Sequence, residues 1–231
     1  MLVAGALWAR TQPLGRELLP GLGALAAVLG GYLLLVGPQF ARQDIRADLA
    51  HADILKTYPL AGWQIVLGEL LTPVAILTGI LWLTLLTIAL SVGGGTVPDW
   101  LSLPVQITGA LCLAVLTPFL AALQLLVPNA AALVFPGWHQ ATRGRGGGPE
   151  VIGQRMIFFF AQLLTMLLAL APAALFGGAF AAIAWSMLGP VVALLFATPV
   201  IALILAAEAA TGIWLLGRQF ERLDLSEELR G

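Results

Sequence analysis

The 231 residues are 60% hydrophobic and only 10% charged, and the net charge at pH 7 is −1. Soluble domains carry about 25% charged residues, so this composition excludes a globular domain folded in water. The near-zero charge offers no basic surface for a nucleic-acid partner. The single cysteine, Cys112, excludes an internal disulfide and a multi-cysteine metal site, and we expect it to be a packed small side chain.

The uncharged runs are long enough to cross a lipid bilayer. The hydrocarbon core is about 30 Å thick and needs about 20 apolar residues per helix. Backbone polar groups in lipid must bond within their own segment, so each run is predicted to form a helix. The fold class is therefore all-α, a polytopic transmembrane helical bundle that forms one domain over residues 1–231. Five spans are predicted, near residues 18–36, 66–91, 103–127, 156–175 and 191–216.

A polar stretch joins the first two spans. Residues 41–55 read ARQDIRADLAHADIL, in which Ile45, Leu49 and Ala52 recur at helical spacing. This pattern predicts an amphipathic helix of about four turns. Its polar face carries both signs of charge, whereas a helix that rests on lipid favours a face rich in Lys and Arg. The pattern thus favours docking to a partner protein.

The last uncharged stretch is too long for one span. It contains five residues that interrupt helices, and these predict a break on either side of residues 179–188, which are too few to cross the bilayer. We therefore predict a short re-entrant helix at 179–188, surrounded by protein rather than lipid. The five interrupting residues are Pro172, Gly177, Gly178, Gly189 and Pro190.

Lysine and arginine favour the cytoplasmic side of a membrane. They occur in the loop after the first span, in the loop after the third span and in the C-terminal tail, and they are missing from 92–102 and 173–190. The two basic loops and the C-terminus are therefore predicted to be cytoplasmic. This count places the N-terminus outside although it carries Arg10 and Arg16, so either these are tolerated there or another span precedes them.

No pattern in the sequence indicates an enzyme or a bound cofactor. Gly144–Gly148 lacks the spacing and the lysine of a phosphate-binding loop, and His51 and His139 have no partner at metal-ligand spacing. Two acids do lie at or within spans. Glu69 begins the second span near the inner surface, and Glu208 lies deeper in the last span. Each is a candidate intramembrane acid, and Glu208 is either a translocation or proton-coupling group or a structural hydrogen-bond partner.

The order of these parts resembles the permease subunit of ABC exporters of the six-span type, and more narrowly bacterial members of that group. The resemblance covers the chain from about Gly37 to the end, and the first span of the six-span unit is absent. It implies that the chain corresponds to the C-terminal part of longer relatives. The similar stretches are Pro38–Asp48 (PQFARQDIRAD), Asp53–Leu71, Pro128–His139 (PNAAALVFPGWH) and Gly217–Asp224 (GRQFERLD).

The resemblance implies a multi-pass protein of the bacterial inner membrane that works with other chains. A separate cytoplasmic ATPase would hold the helix at 41–55, the coupling helix, in a surface groove, and a second permease chain would complete the transporter. Arg143 and Arg145 would add a second contact. The candidate ATPase contacts are Asp44, Arg46, Asp48, Asp53 and Lys56.

Two other functions are compatible with the same residues. One is an ATP-independent secondary transporter that uses Glu208 as a proton site. The other is a membrane scaffold without a transport role. The mostly apolar spans permit a lipid-like or drug-like cargo but do not specify one.

Overall fold

A computed structural model of the chain describes residues 12–40, 55–91, 102–134 and 149–222, and every regular element in these ranges is helical. The α-helices are α1 (Pro13–Phe40), α2 (Gly62–Ser91), α3 (Leu103–Val134), α4 (Pro149–Pro172), α5 (Gly178–Leu188) and α6 (Pro190–Arg222), with a π-helical turn at Ala173–Gly177.

Five helical stretches within these ranges are long and apolar enough to cross a membrane. The predicted all-α, multi-pass architecture is thus confirmed at that level. The helices extend past the apolar runs that predicted them, most clearly in α3, which continues to Val134 rather than ending at 127. The five stretches are Leu18–Gly37, Gly62–Ser91, Leu103–Val134, Phe159–Leu188 and Pro190–Arg222.

The predicted break near Pro172 is wrong. Backbone angles stay helical from Pro172, which has φ −62°, to Gly178, which has φ −66°, so α4, the π-helical turn and α5 follow one another without an end. Proline lacks the N–H of a regular turn, and the wider π-helical turn after it accommodates this defect. The chain turns only at Gly189, whose φ of +82° suits glycine. A re-entrant arrangement of residues 179–188 is not shown.

Helices α2, α3 and α6 form the centre of the bundle, with α1 packed mainly on α2, and with the π-helical turn and α5 packed on α6. Small residues allow these approaches. A Cβ added to Gly212 would lie 2.7 Å from Leu126 Cδ1, and one added to Gly23 would lie 2.7 Å from Ser91 Cβ. Because lipid removes the hydrophobic drive between helices, such close packing supplies much of their attraction.

The outer surface of the bundle is as apolar as its core. Met187, Leu203 and Leu167 have 76%, 71% and 68% of their surface exposed, while Gln124 and Gln162 are buried. Water would drive such large apolar side chains inward at about 25 cal/mol per Å². The distribution therefore fits a protein surrounded by lipid.

Many hydroxyl groups inside the spans are satisfied within their own helix. Seven hydroxyls donate to the carbonyl four residues earlier at 2.7–2.8 Å, which satisfies them without water. The buried Cys112 thiol lies 3.7 Å from the Leu194 carbonyl oxygen, as a packed side chain. The seven hydroxyls belong to Thr84, Thr87, Ser91, Thr117, Thr165, Thr198 and Thr211.

One interhelical bond repairs a proline defect. Pro118 has no N–H for the carbonyl of Ala114, the residue four positions earlier in α3. The indole Nε1–H of Trp82 in α2 donates to that carbonyl oxygen at 2.9 Å. An unsatisfied carbonyl in lipid is costly, so this bond joins α2 to α3 at a place where α3 needs a donor.

Candidate functional site

The residues that follow the predicted coupling helix pack against the end of the last helix. Residues 55–64 lead into α2, and residues 217–221 form the last turns of α6; we call their contact the junction. Leu55 packs on the apolar cluster that contains Ile65 and the almost fully buried Phe220. Leu55, the last residue of the predicted coupling helix, is therefore packed on the core of the bundle.

Two glycines bring the backbones of α2 and α6 into direct contact. A Cβ on Gly62 would overlap the carbonyl oxygen of Gly217, and a Cβ on Gly217 would overlap the backbone nitrogen of Trp63 and lie 2.6 Å from its Cα. Real Cβ atoms essentially never lie that close to other atoms, and these are backbone atoms that cannot rotate away. Both positions therefore require glycine for the two helices to meet as they do.

A carboxylate from α6 caps the start of α2. The backbone N–H of Gly62 donates to Glu221 Oε1 at 2.7 Å, across 159 residues of sequence. The first N–H groups of a helix have no partner within it, and the helix dipole favours negative charge at that end. Glu221 meets both needs through a short charge-assisted bond.

The start of α2 is also closed by its own residues. The Gln64 side-chain Oε1 accepts a hydrogen bond from the Ala61 N–H at 3.0 Å, which is half of a capping box. Before it, the Tyr58 N–H donates to the Leu55 carbonyl at 3.3 Å in a tight turn. These local bonds fix the path of the chain between Leu55 and α2.

Lys56 is the one ATPase-contact candidate that lies within the described ranges. Its exposed side chain places the ammonium 5.8 Å from the centroid of the Phe220 ring, which is a cation–π distance. Lys56 is thus part of the junction. The other candidates, together with the predicted coupling helix apart from Leu55, lie outside the described residues; these candidates are Asp44, Arg46, Asp48, Asp53, Arg143 and Arg145.

The two candidate intramembrane acids lie on different helices. Glu69 is half-buried near the start of α2, and Glu208 is half-buried in α6. Glu208 Oε2 is buried with no hydrogen-bond partner within the part of the chain that the structure describes. In the same ranges no three His, Cys, Asp or Glu side chains are grouped as metal ligands would be.

Sequence reasoning missed Gly62, Gly217 and Glu221. The glycines carry no local sign of each other, because 155 residues separate them. Glu221 does carry a local sign of its role, since it lies in the last turn of its own helix. There the helix dipole disfavours negative charge, and such a carboxylate commonly serves another element.

No family model, curated protein or solved structure matches this chain. The junction combines a backbone contact, a carboxylate cap and a cation–π contact between the same two chain segments. Residues 55–61 are therefore packed against the end of α6 as well as connected to the start of α2.

Proposed function

We propose that the chain is the membrane-spanning permease subunit of an ABC exporter in a bacterial inner membrane. In this proposal a separate cytoplasmic ATPase subunit hydrolyses ATP, and residues 41–55 form the coupling helix that docks on it. A second permease chain, identical or different, completes the pathway. The observation that carries the proposal is the junction, which connects this loop to the last span.

The junction has the properties that such a transmission needs. Transmission needs a close contact between the end of the loop and another span. Here Gly62, Gly217 and Glu221 make that contact through backbone atoms and a 2.7 Å bond. A push on the coupling helix would thus reach α2 and α6 together and change how they pack on α3, which contacts both.

The same contact supports the proposed orientation. Because the end of α6 meets the start of α2, the polar loop and the C-terminal tail share one side of the membrane. That side carries Lys56, Arg218 and Arg222, and the positive-inside rule assigns it to the cytoplasm. The turn at Gly189 would then lie at the outer face.

The finer path of α5 is part of the proposal. A straight helix over residues 156–188 would be about 50 Å long, which exceeds the hydrocarbon thickness of about 30 Å. We propose that α5, which contains residues 179–188, bends away from the bilayer normal after the π-helical turn. It would then form a shallow re-entrant hairpin with the start of α6. The packing of α5 on α6 supports this arrangement.

The test is purification of the tagged chain from its native membrane, followed by mass spectrometry and an ATPase assay. We expect an ATPase subunit with a phosphate-binding loop to co-purify. Charge reversal at Asp48 and Asp53 should lower the ATPase activity of the complex without lowering expression. The same reversal at Asp99, in the loop predicted to lie outside, is the matched control and should leave the activity unchanged. Activity that is equal in all three variants would count against the proposal.

One observation favours the secondary transporter as a second candidate. Glu208 Oε2 is a buried carboxylate oxygen without a hydrogen-bond partner among the described residues, and such a group within a span is suited to bind a proton. That function predicts that the chain, purified without an ATPase, moves an apolar fluorescent dye into proteoliposomes under a proton gradient. Glu208→Gln should abolish the movement and Glu69→Gln should leave it largely intact. Dye movement that follows ATP instead would refute this candidate.

A further inference from the structure

A second surface lies next to the junction, on the outward face of α6. Trp214, Arg218 and Arg222 follow one another at intervals of four residues, so they share one side of the helix, and all three are exposed. Gly217 and Phe220, which point to the junction and the core, are buried. We call the exposed residues the arginine patch.

Among the described residues, Arg218 contacts an aromatic ring and no acid. Its guanidinium carbon lies 3.7 Å from the centre of the Trp214 ring, in a stacked position. The only acid within one turn of Arg218 along the sequence is Glu221, and Glu221 Oε1 is bonded to the N–H of Gly62. Within the described residues the stacked guanidinium has no ion pair that would occupy its N–H edge, and this planar edge fits phosphate oxygens two at a time.

The patch lies where an apolar span meets a polar layer. The uncharged part of α6 before Arg218 is interrupted only by Glu208 and measures about 40 Å, more than the hydrocarbon core, so the end of α6 reaches the headgroup layer. Trp214 and Leu215 have 44% and 52% of their surface exposed and continue the lipid-facing surface into the patch. Tryptophan prefers that boundary, and arginine extends its charge from it towards water.

We infer that the arginine patch binds the phosphate headgroup of an anionic phospholipid, with Arg218 as the central contact. The positive charge complements the headgroup, the Trp214 ring lies beside the first carbons of the acyl chains, and the stack orients the guanidinium in advance. A protein partner with an acidic surface would match the charge alone, but not the exposed apolar residues that continue from the span. The inference does not depend on the transport proposal.

The test compares lipid retention by native mass spectrometry of the purified chain in a neutral detergent. Phosphatidylglycerol is the probe, and phosphatidylcholine and inorganic phosphate are the comparison ligands. We expect the wild-type chain to retain phosphatidylglycerol and to be stabilised by it, with little effect of the other two. A stabilisation by inorganic phosphate that equals that of phosphatidylglycerol would overturn the inference in favour of a soluble anion.

Three variants separate a built site from general positive charge. Arg218→Gln should weaken phosphatidylglycerol binding roughly ten-fold, as expected for lost bonds to a charged group. The double variant R218Q/Q219R keeps the net charge but moves the guanidinium off the Trp214 ring, and it should bind almost as weakly. Trp214→Leu keeps Arg218 but removes the ring on which it stacks, so its affinity for phosphatidylglycerol should lie between those of the wild-type chain and Arg218→Gln.

If R218Q/Q219R bound phosphatidylglycerol as tightly as the wild-type chain, only the overall charge would matter, and the inference would be overturned. The inference would also be overturned if Arg218→Gln lost a co-purifying protein but retained as much lipid as the wild-type chain. That result would assign the patch to a protein partner. If Arg218→Gln does not fold, Arg218→Lys keeps the charge and loses the planar stack. We then expect the affinity for phosphatidylglycerol to fall several-fold in Arg218→Lys. Unchanged retention of phosphatidylglycerol would contradict the inference.

Discussion

Replacement of Gly217 by alanine tests the backbone contact at the junction, and Gly68 supplies a matched control. Both glycines lie inside helices, where alanine is favoured over glycine by about 1 kcal/mol. A Cβ at Gly68 would meet nothing within 4 Å, whereas one at Gly217 would overlap the backbone nitrogen of Trp63. The helix-propensity term is thus common to both variants, and only Gly217→Ala adds a steric cost.

The size of that cost follows from the geometry. The overlap is with backbone atoms, so α2 and α6 must separate until the 2.6 Å approach to Trp63 Cα reaches the 3.4–4 Å of an ordinary contact, and the Gly62 N–H bond to Glu221 must lengthen. Overpacking of this kind costs about 1–3 kcal/mol. We expect Gly217→Ala to be less stable than Gly68→Ala by about that amount, and any transport-coupled ATPase activity to fall in the first variant alone.

The measurement is reversible unfolding in mixed micelles, followed by circular dichroism as the denaturing detergent is increased. The wild-type chain and both variants are compared at the same protein concentration. Equal unfolding midpoints for the two alanine variants would refute the close backbone contact, and with it the idea that the junction is a rigid joint.

Three further predictions rest on single contacts, each measured by the same unfolding assay. Trp82→Phe should cost about 1 kcal/mol in the wild-type chain and much less in a Pro118→Ala background, because residue 118 then donates its own N–H to the Ala114 carbonyl; equal costs in the two backgrounds would contradict this role. Glu221→Gln keeps an acceptor for the N–H of α2 but loses the charge, so it should cost about 0.3–1 kcal/mol, and a cost that is not reduced by added salt would argue against the electrostatic part. Gly189→Ala should cost about 1–2 kcal/mol, because φ is +82° there and alanine resists that region, and no loss of stability would show that the α5–α6 turn has another backbone path.

The sequence predicts the spans well because the bilayer imposes a simple requirement on composition and length. The starts of α3 and α6, at Leu103 and Pro190, lie within one residue of their predicted positions. The break at Pro172 was wrong because proline and glycine were treated as helix ends. In a span the lost bond can be absorbed by a π-helical turn, and Gly177 serves there as a contact surface for Ile201.

The junction could not be predicted for a different reason. Gly62 and Gly217 matter only because a particular helix approaches each of them, and one sequence does not contain that information. Glu221 was detectable in part, since an acid in the last turn of a helix is unfavourable on local grounds. The coupling helix at 41–55 remains a prediction from its period and its mixed charges.

In the proposed function, an ATPase on another chain drives the loop between the first two spans. A photoreactive amino acid at position 48, activated in native membranes, tests this most directly, with position 99 as the control in the loop predicted to be outside. We expect a covalent adduct with an ATPase subunit from position 48 and none from position 99. Membrane-impermeant reagents that reach position 48 from the outer face, or a photoadduct pattern that is the same at both positions, would contradict it.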